Sequence, residues 1–349
     1  VSSLTEYTEK LDCASEAERA YAAEDIGYLN IPEGVGVLLA RLAEEPSRAV
    51  RDAIFQALIR IDSDEAIFGS VELLRSDVPE IRNQAVDVLR HKSERSLPLL
   101  RTVMREGDKD LRKLVLDVLT GLEARHASEI YTSALGDEDP NVVITAVENL
   151  GKLRVAEFRP RIEQLLLADS HPMLTSVCLE ALAAIGDERS GTVVRRRFPD
   201  LAAAPDFLLA SCLKALGAVG EAEAFAEVSQ LLAVRGRHLR PAILGALIAL
   251  HQRFPETAAT EGLRPALEAM IDNGDPPLSR YEAVRTLGFL GAHDDVHAFL
   301  VRCLSSPERL VRLGAIESLR AGARSDLDLV LASRSAEEAD EEVREALRC

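Results

Sequence analysis

The stretch "SPERLVRLGAIESLR" (306–320) has two earlier counterparts in the chain, "EPSRAVRDAIFQALI" (45–59) and "DVPEIRNQAVDVLR" (77–90). In each, an apolar residue is followed at once by arginine, and a leucine arrives eight positions after that apolar residue. With Val50 as the anchor, equivalent anchors fall at Ile81, Leu111, Val142, Leu174, Leu208, Leu239, Ser279, Val311 and Val343. The leucines are Leu58, Leu89, Leu119, Leu150, Leu182, Leu216, Leu247, Leu287 and Leu319, spaced 31, 30, 31, 32, 34, 31, 40 and 32 residues apart. A degenerate leading copy runs from Glu18 to Ile26.

The positions four and five beyond each anchor are also apolar or small, as in Ile54-Phe55, Ala85-Val86 and Cys212-Leu213. Offsets of 0, 4, 5 and 8 trace one face of a helix rather than the alternation of a strand. A second apolar-periodic segment, such as "DEAIFGSVELLR" (64–75), lies between successive copies. Each repeat is therefore read as two antiparallel helices. Pro and Asp ahead of the anchor ("DEDPNV", "SPERLV") suit a helix start. Gly or Asp after the leucine ("LGKL", "AAIGDERS") suits a helix stop and the next N-cap. Neither helix buries its apolar stripe alone, so stacking is required and an all-α solenoid with a period of about 31 residues follows.

The pattern P-x-x-V-R-x-x-A-x-x-x-L opening the second helix resembles HEAT repeats. The short period is similar to the HEAT-like subclass of the phycobilin lyases. The resemblance covers roughly residues 15–349. It implies an α-solenoid whose second helices line the concave face and whose recurrent Asp and Arg residues form ladders between repeats. The tetratricopeptide alternative lacks its Trp-Leu-Gly and Tyr signature here, and the ankyrin Thr-Pro-Leu-His is missing. One array is expected over 1–349, of ten or eleven repeats, with terminal caps at 1–17 and 335–349 and irregular repeats near 195–207 and 253–265.

Composition narrows the function. Lys and Arg total 41 against 58 Asp and Glu, a formal net charge of −17, which disfavours phosphate backbones and anionic lipid. Five widely spaced cysteines with no CxxC pair indicate neither a disulfide framework nor a zinc site, and point to a reducing cytoplasm. No apolar run approaches the length of a membrane span. The chain opens without Met, which reads as a processed or excised terminus. Nucleotide-binding, zincin and hydrolase motifs are absent, so no catalytic residue, cofactor or metal is expected.

Candidate chemistry lies in three registers. Arg follows the anchor at Arg51, Arg82, Arg112, Arg240, Arg280, Arg312 and Arg344, with Asp77, Asp108, Asp139, Asp275 and Asp340 nearby; the resemblance makes these a structural ladder. Six residues beyond the anchor stand Asp87, Asp117, Glu148 and Glu180 in four consecutive copies. Stacked helices about 8–10 Å apart would align these four as an acidic ridge. Charges at that spacing lie within roughly one Debye length and favour a ligand bearing Lys or Arg. Asn83 and Lys113 flank the ridge two residues beyond their anchors. "HDDVH" (293–297) offers His293 and His297 four apart but no third ligand, and Cys178 and Cys212 share one core register.

The expected function is a non-enzymatic scaffold that holds a basic or amphipathic protein segment against this ridge. Self-association through the terminal repeats is compatible with it. A tetrapyrrole lyase or chaperone is the alternative that the resemblance implies, although the chain lacks Trp and has five Tyr for stacking. A HEAT-like nucleic-acid binder is a further alternative, opposed by the charge.

Overall fold

The computed structural model describes residues 4–168, 171–255, 263–272, 275–290, 294–322 and 327–348. Among them are 22 α-helices and no strand. They divide into two compact units, Val1–Leu153 and Arg154–Cys349. In the first unit α1 (Leu4–Leu11), α2 (Glu16–Tyr28), α3 (Val35–Glu44), α4 (Arg48–Arg60) and α5 (Asp64–Leu73) are followed by α6 (Pro79–His91), α7 (Leu97–Glu106), α8 (Lys109–Leu119), α9 (Ser128–Ala134) and α10 (Pro140–Lys152). The even helices stack in one row and α3, α5, α7 and α9 in the other. The second unit repeats the scheme. Its leading helices are α11 (Arg159–Ala168), α13 (Glu188–Arg197), α15 (Ala224–Val234), α17 (Leu263–Asp272), α19 (Asp294–Cys303) and α21 (Leu327–Ser335). They alternate with α12 (Pro172–Ile185), α14 (Asp206–Val219), α16 (Arg240–Arg253), α18 (Pro277–Leu290), α20 (Arg309–Ala321) and α22 (Glu341–Arg348).

Each anchor-to-leucine stretch lies in one helix of the second row, save that the anchor Leu239 ends a 3-10 turn just ahead of α16, and all nine leucines are at most 2% exposed. Truncating one buried leucine to alanine costs about 2–5 kcal/mol, so the repeat signature is also the main source of cohesion. In the first unit the core runs from Tyr7 and Leu11 of α1 through Ile26, Leu38, Ile54 and Phe55 to Val88. Within the expected leading cap, α1 packs Tyr7 and Leu11 into that core, and the terminal cap carries α22, which buries Val343 and Leu347.

Helix starts follow the expected chemistry. Ser47 accepts from the Val50 N–H, Asp108 from Asp110 and Leu111, and Asp139 from Asn141. Pro79, Pro140 and Pro172 open their helices at positions whose N–H needs no partner. The stops differ from expectation in one case. Gly151 of "LGKL" lies inside α10, and the left-handed residue after that helix is Arg154, at φ 56°. Gly186 and Gly220 do follow α12 and α14, at negative φ; a Cβ on either would lie 2.4 Å from the carbonyl oxygen four residues back.

The spacing of second-row helices depends on two positions. The residue nine beyond one anchor meets the residue seven beyond the next. In α2 and α4 these are Gly27 and Ala57, in α14 and α16 Gly217 and Ala246, in α18 and α20 Gly288 and Ser318. These helices lie close together along much of their length. The equivalent residues in the rest of the first unit are larger: Ile59 with Val88, Arg90 with Val118, Thr120 with Asn149. There α4, α6, α8 and α10 touch over shorter stretches. Side-chain volume at one register therefore decides where the row closes and where it opens.

The irregular segment 195–207 ends α13 at Arg197, makes a turn of 3-10 helix at Leu201–Ala203, and starts α14 at Asp206. Residues 256–262 within 253–265 lie outside the described set, as does His293 of "HDDVH". No helix among the described residues is long and apolar enough to cross a membrane.

Candidate functional site: a charged groove in the first unit

The open stretch of the first unit forms a groove of about 830 Å³ between the end of α5 and α6, α8 and α10. Its walls carry Asp117 and Glu148 of the acidic register, together with Lys113, Lys152, Arg82 and Asp108. A smaller groove of about 530 Å³ between α4 and α6 contains Asn83 and Asp87. Five of the six residues expected from sequence thus line two neighbouring depressions of one unit. Glu180 belongs to the second unit, on α12.

Basic partners accompany the ridge. Asp87 pairs with Arg90 at 2.9 Å, one turn along its own helix. Glu148 and Lys152 approach to 3.9 Å, and Glu180 pairs with Lys214. Lys113 lies 3.1 Å from Asp110. The register therefore alternates in sign more than a row of bare carboxylates would. Sequence reasoning assigned the acids by position but not the cations three or four residues away, although Arg90 and Lys152 stand at helix spacing from their partners.

Asp117 differs from the other three. Burial pushes its carboxyl above the ordinary value, against the pull of Arg90, Lys113 and Lys152, none of which pairs with it directly. Arg90 spends its guanidinium elsewhere: Nε and Nη2 donate to the Asp117 backbone carbonyl at 3.1 and 2.9 Å, and Nη2 also donates to Thr120 Oγ1. This caps the carbonyl end of α8 and holds α6 against it. Asn149, buried, donates to the Leu116 carbonyl at 3.0 Å and ties α10 to α8 in the same way. The groove floor is thereby fixed by side-chain hydrogen bonds to backbone carbonyls of the neighbouring repeat.

The anchor arginines are structural. Arg51, Arg82, Arg312 and Arg344 donate to carbonyls five or six residues upstream, in the turn between the helices of their own repeat. Four anchor arginines reach an acid of the following repeat: Arg112 to Asp137 at 2.7 Å, Arg240 to Asp275, Arg280 to Glu308 at 3.8 Å, and Arg312 to Glu338 at 3.0 Å. Of the five aspartates expected in the ladder, Asp275 is a rung, whereas Asp108 and Asp139 are N-caps. An eighth arginine joins the series. Arg19, in the leading copy, donates to both oxygens of Glu45 at 2.8 and 3.0 Å and to the Cys13 and Ala14 carbonyls at 3.1 Å. It sits one residue after Glu18, the register the repeat predicts.

Cys178 and Cys212 are buried on adjacent helices, as their shared register implies. No cluster of three or more metal-ligating side chains occurs among the described residues.

Residues 4–90 match the family model for HEAT repeats. The bilin biosynthesis protein PecE of Mastigocladus laminosus is 35% identical over 71 residues, 20% of this chain and 26% of that protein. Among solved structures, Kap95p with RanGDP superposes with a TM-score of 0.66 at 12% identity, over 99% of this chain and 55% of that one. Importin beta gives 0.65 at 11% identity, over 99% of this chain and 56% of that one. Kap121p bound to the extreme C-terminus of the protein phosphatase Cdc14p gives 0.53 at 15% identity, over 99% of this chain and 45% of that one. The chain thus spans about half the length of the solved structures it resembles, and its match to PecE covers about a quarter of that protein. Residues 4–90 thus carry HEAT-like repeats, and the fold is that of an α-solenoid.

Proposed function

We infer that the chain is a non-enzymatic protein-interaction scaffold whose first unit holds a basic or amphipathic protein segment in the groove around Asp117. The observation that carries this reading is the half-buried Asp117 carboxylate, kept in the groove wall against the cost of its burial and without a direct ion pair. A Lys or Arg side chain from a partner supplies the counter-charge there. Asp87 and Glu148 steer a cationic segment toward Asp117, and Asn83 and Lys113 contribute hydrogen bonds at its edge; Glu180, in the second unit, is a separate acidic contact of the same register. Such charges raise the association rate more than the final affinity. The Kap121p structure, with a protein C-terminus bound to the same fold, supports an extended segment as the type of ligand.

The test is affinity capture from the source organism's lysate at low and high salt. Wild type is compared with an Asp87→Asn, Asp117→Asn, Glu148→Gln, Glu180→Gln variant of unchanged helical spectrum. A protein held by wild type, released by salt and missed by the variant establishes the groove. Equal retention by both baits removes it.

A second reading, handling of a linear tetrapyrrole, rests on the 71-residue match to PecE. Phe55 is the aromatic side chain in the two grooves, which gives a flat chromophore little to stack on. Added bilin that acquires a shifted visible absorbance with the purified protein would favour this reading.

A further inference from the structure

The outward face of the second-row helices in the second unit has a different chemistry from that of the groove. Just before the anchors of α12, α14 and α18 stand Met173, Phe207 and Leu278, exposed by 57%, 64% and 54%. At the same register the first unit has Ala49, Glu80, Asp110 and Asn141. Between Phe207 and Leu278, His238 occupies the position ahead of α16, with its ring 3.0 Å from Asp206. Exposed Met and Phe side chains in a row are the composition of a binding surface rather than of a solvated face.

Seven residues further along each helix lies a row of charges with a gap. Glu180 of α12 pairs with Lys214 of α14, and Arg285 of α18 pairs with Glu317 of α20 at 3.2 Å. On α16, midway, the register holds Gly245, where an added Cβ would meet nothing within 4 Å. The two cations flank the gap and the two carboxylates lie outside them. Arg285 is held in place over the Tyr281 ring, whose hydroxyl donates to Glu317. The sign pattern is therefore negative, positive, open, positive, negative.

We propose that this face binds an amphipathic helix of a partner protein, with its apolar side chains on Met173, Phe207 and Leu278 and a carboxylate in the gap at Gly245 between Lys214 and Arg285. Seven helical residues separate the apolar row from the charge row by about 10 Å, the width of a single α-helix. One helix lying along the array meets both rows. Its central acid lies between the two cations, each already paired on its far side with Glu180 or Glu317, and its apolar stripe covers the exposed Met and Phe. This ligand is opposite in central charge to the one inferred for the first unit, so the two surfaces select different partners. The inference extends the scaffold reading and shares with it only Glu180, the partner of Lys214.

The experiment selects a phage-displayed library of random peptides of about 16 residues, roughly four helical turns, on the full chain. The expected winners carry apolar residues at helical spacing around one Asp or Glu. Synthesised, they lose about tenfold or more in affinity, 1.4 kcal/mol, to Gly245→Glu and to Phe207→Ser with Leu278→Ser. They bind the Asp87→Asn, Asp117→Asn, Glu148→Gln variant as they bind wild type. Gly245 has open space beside it and Phe207 and Leu278 are exposed, so these variants keep the fold, checked by helical spectrum. Winners without the acid, winners bound equally by Gly245→Glu, or no enrichment at all overturn the proposal. Loss only with the first-unit variant also overturns it while leaving the groove reading intact.

Discussion

Gly27 of α2 lies so close to Ala57 of α4 that a Cβ on the glycine would stand 2.5 Å from the Ala57 Cα. No side chain shift relieves such a clash, because the obstructing atom is backbone. Gly27→Val should separate the two helices and destabilise the protein by about 1–3 kcal/mol, the usual cost of overpacking. Gly36 of α3 has nothing within 4 Å of its Cβ position. There Gly36→Ala should stabilise by about 0.5–1 kcal/mol through backbone entropy. Urea unfolding followed by helical circular dichroism measures both. Equal effects at the two glycines would contradict the role assigned to close approach.

The Arg19–Glu45 pair yields a prediction with a pH sign. Glu45 is 5% exposed and Arg19 8%. Burial works to raise the Glu45 carboxyl, but hydrogen bonds from Arg19, the Ser47 N–H and Arg41 outweigh it and hold the value at about 2. The folded value is depressed below the unfolded one. The pair's stabilisation is therefore present above about pH 4.5 and is lost as pH falls toward about 2. Glu45→Ala should cost about 3–5 kcal/mol at neutral pH, since it leaves a buried guanidinium without its carboxylate. The difference between wild type and variant should shrink between pH 4.5 and pH 2 in denaturant titrations. A gap that stays constant across that window would mean the pair is not coupled to folding.

Arg90 joins two helices through backbone oxygen rather than through a carboxylate. Its bonds to the Asp117 carbonyl and Thr120 span α6 and α8. Hydrogen bonds to charged groups contribute about 1.5–3 kcal/mol, so Arg90→Ala should cost about that much. Arg90→Lys should recover part of it, because one ammonium cannot match the geometry of the guanidinium fork. Hydrogen exchange at the C-terminal amides of α8 provides the local readout, and unchanged protection there would refute the cap.

The helix pairs and the burial of every repeat leucine were legible because one apolar stripe, repeated at fixed spacing, has a single way to be buried. The ladder was legible as arginines, since their register is constant. Its acids were not, because Asp137, Glu45 and Glu338 sit in turns of variable length, while Asp108 and Asp139 belong to helix starts. The pairing of Gly27 with Ala57, or Thr120 with Asn149, joins registers on different helices and emerges only once the stacking is known. The acidic register was found as a row. Its counter-ions, Arg90 and Lys152, lie off that register and emerge only when each carboxylate is matched to the cation one turn later on its own helix.

Asp117 gives the prediction that bears most directly on function. Its folded value is raised by burial, so the folded protein takes up a proton more readily than the unfolded chain. Stability attributable to this group is full below its unfolded value and declines as pH rises through the folded one. At neutral pH the ionised carboxylate is therefore a local cost, and Asp117→Asn should raise the stability of the first unit, with the gain fading in acid. The same substitution should weaken binding of any Lys- or Arg-bearing segment in the groove. Calorimetric melting at pH 7 and pH 4, alongside titration with a segment recovered by capture, separates the two effects. A variant that is both more stable and weaker in binding identifies a carboxylate retained for its ligand. A variant that is less stable at pH 7 would instead make Asp117 part of the scaffold's own support.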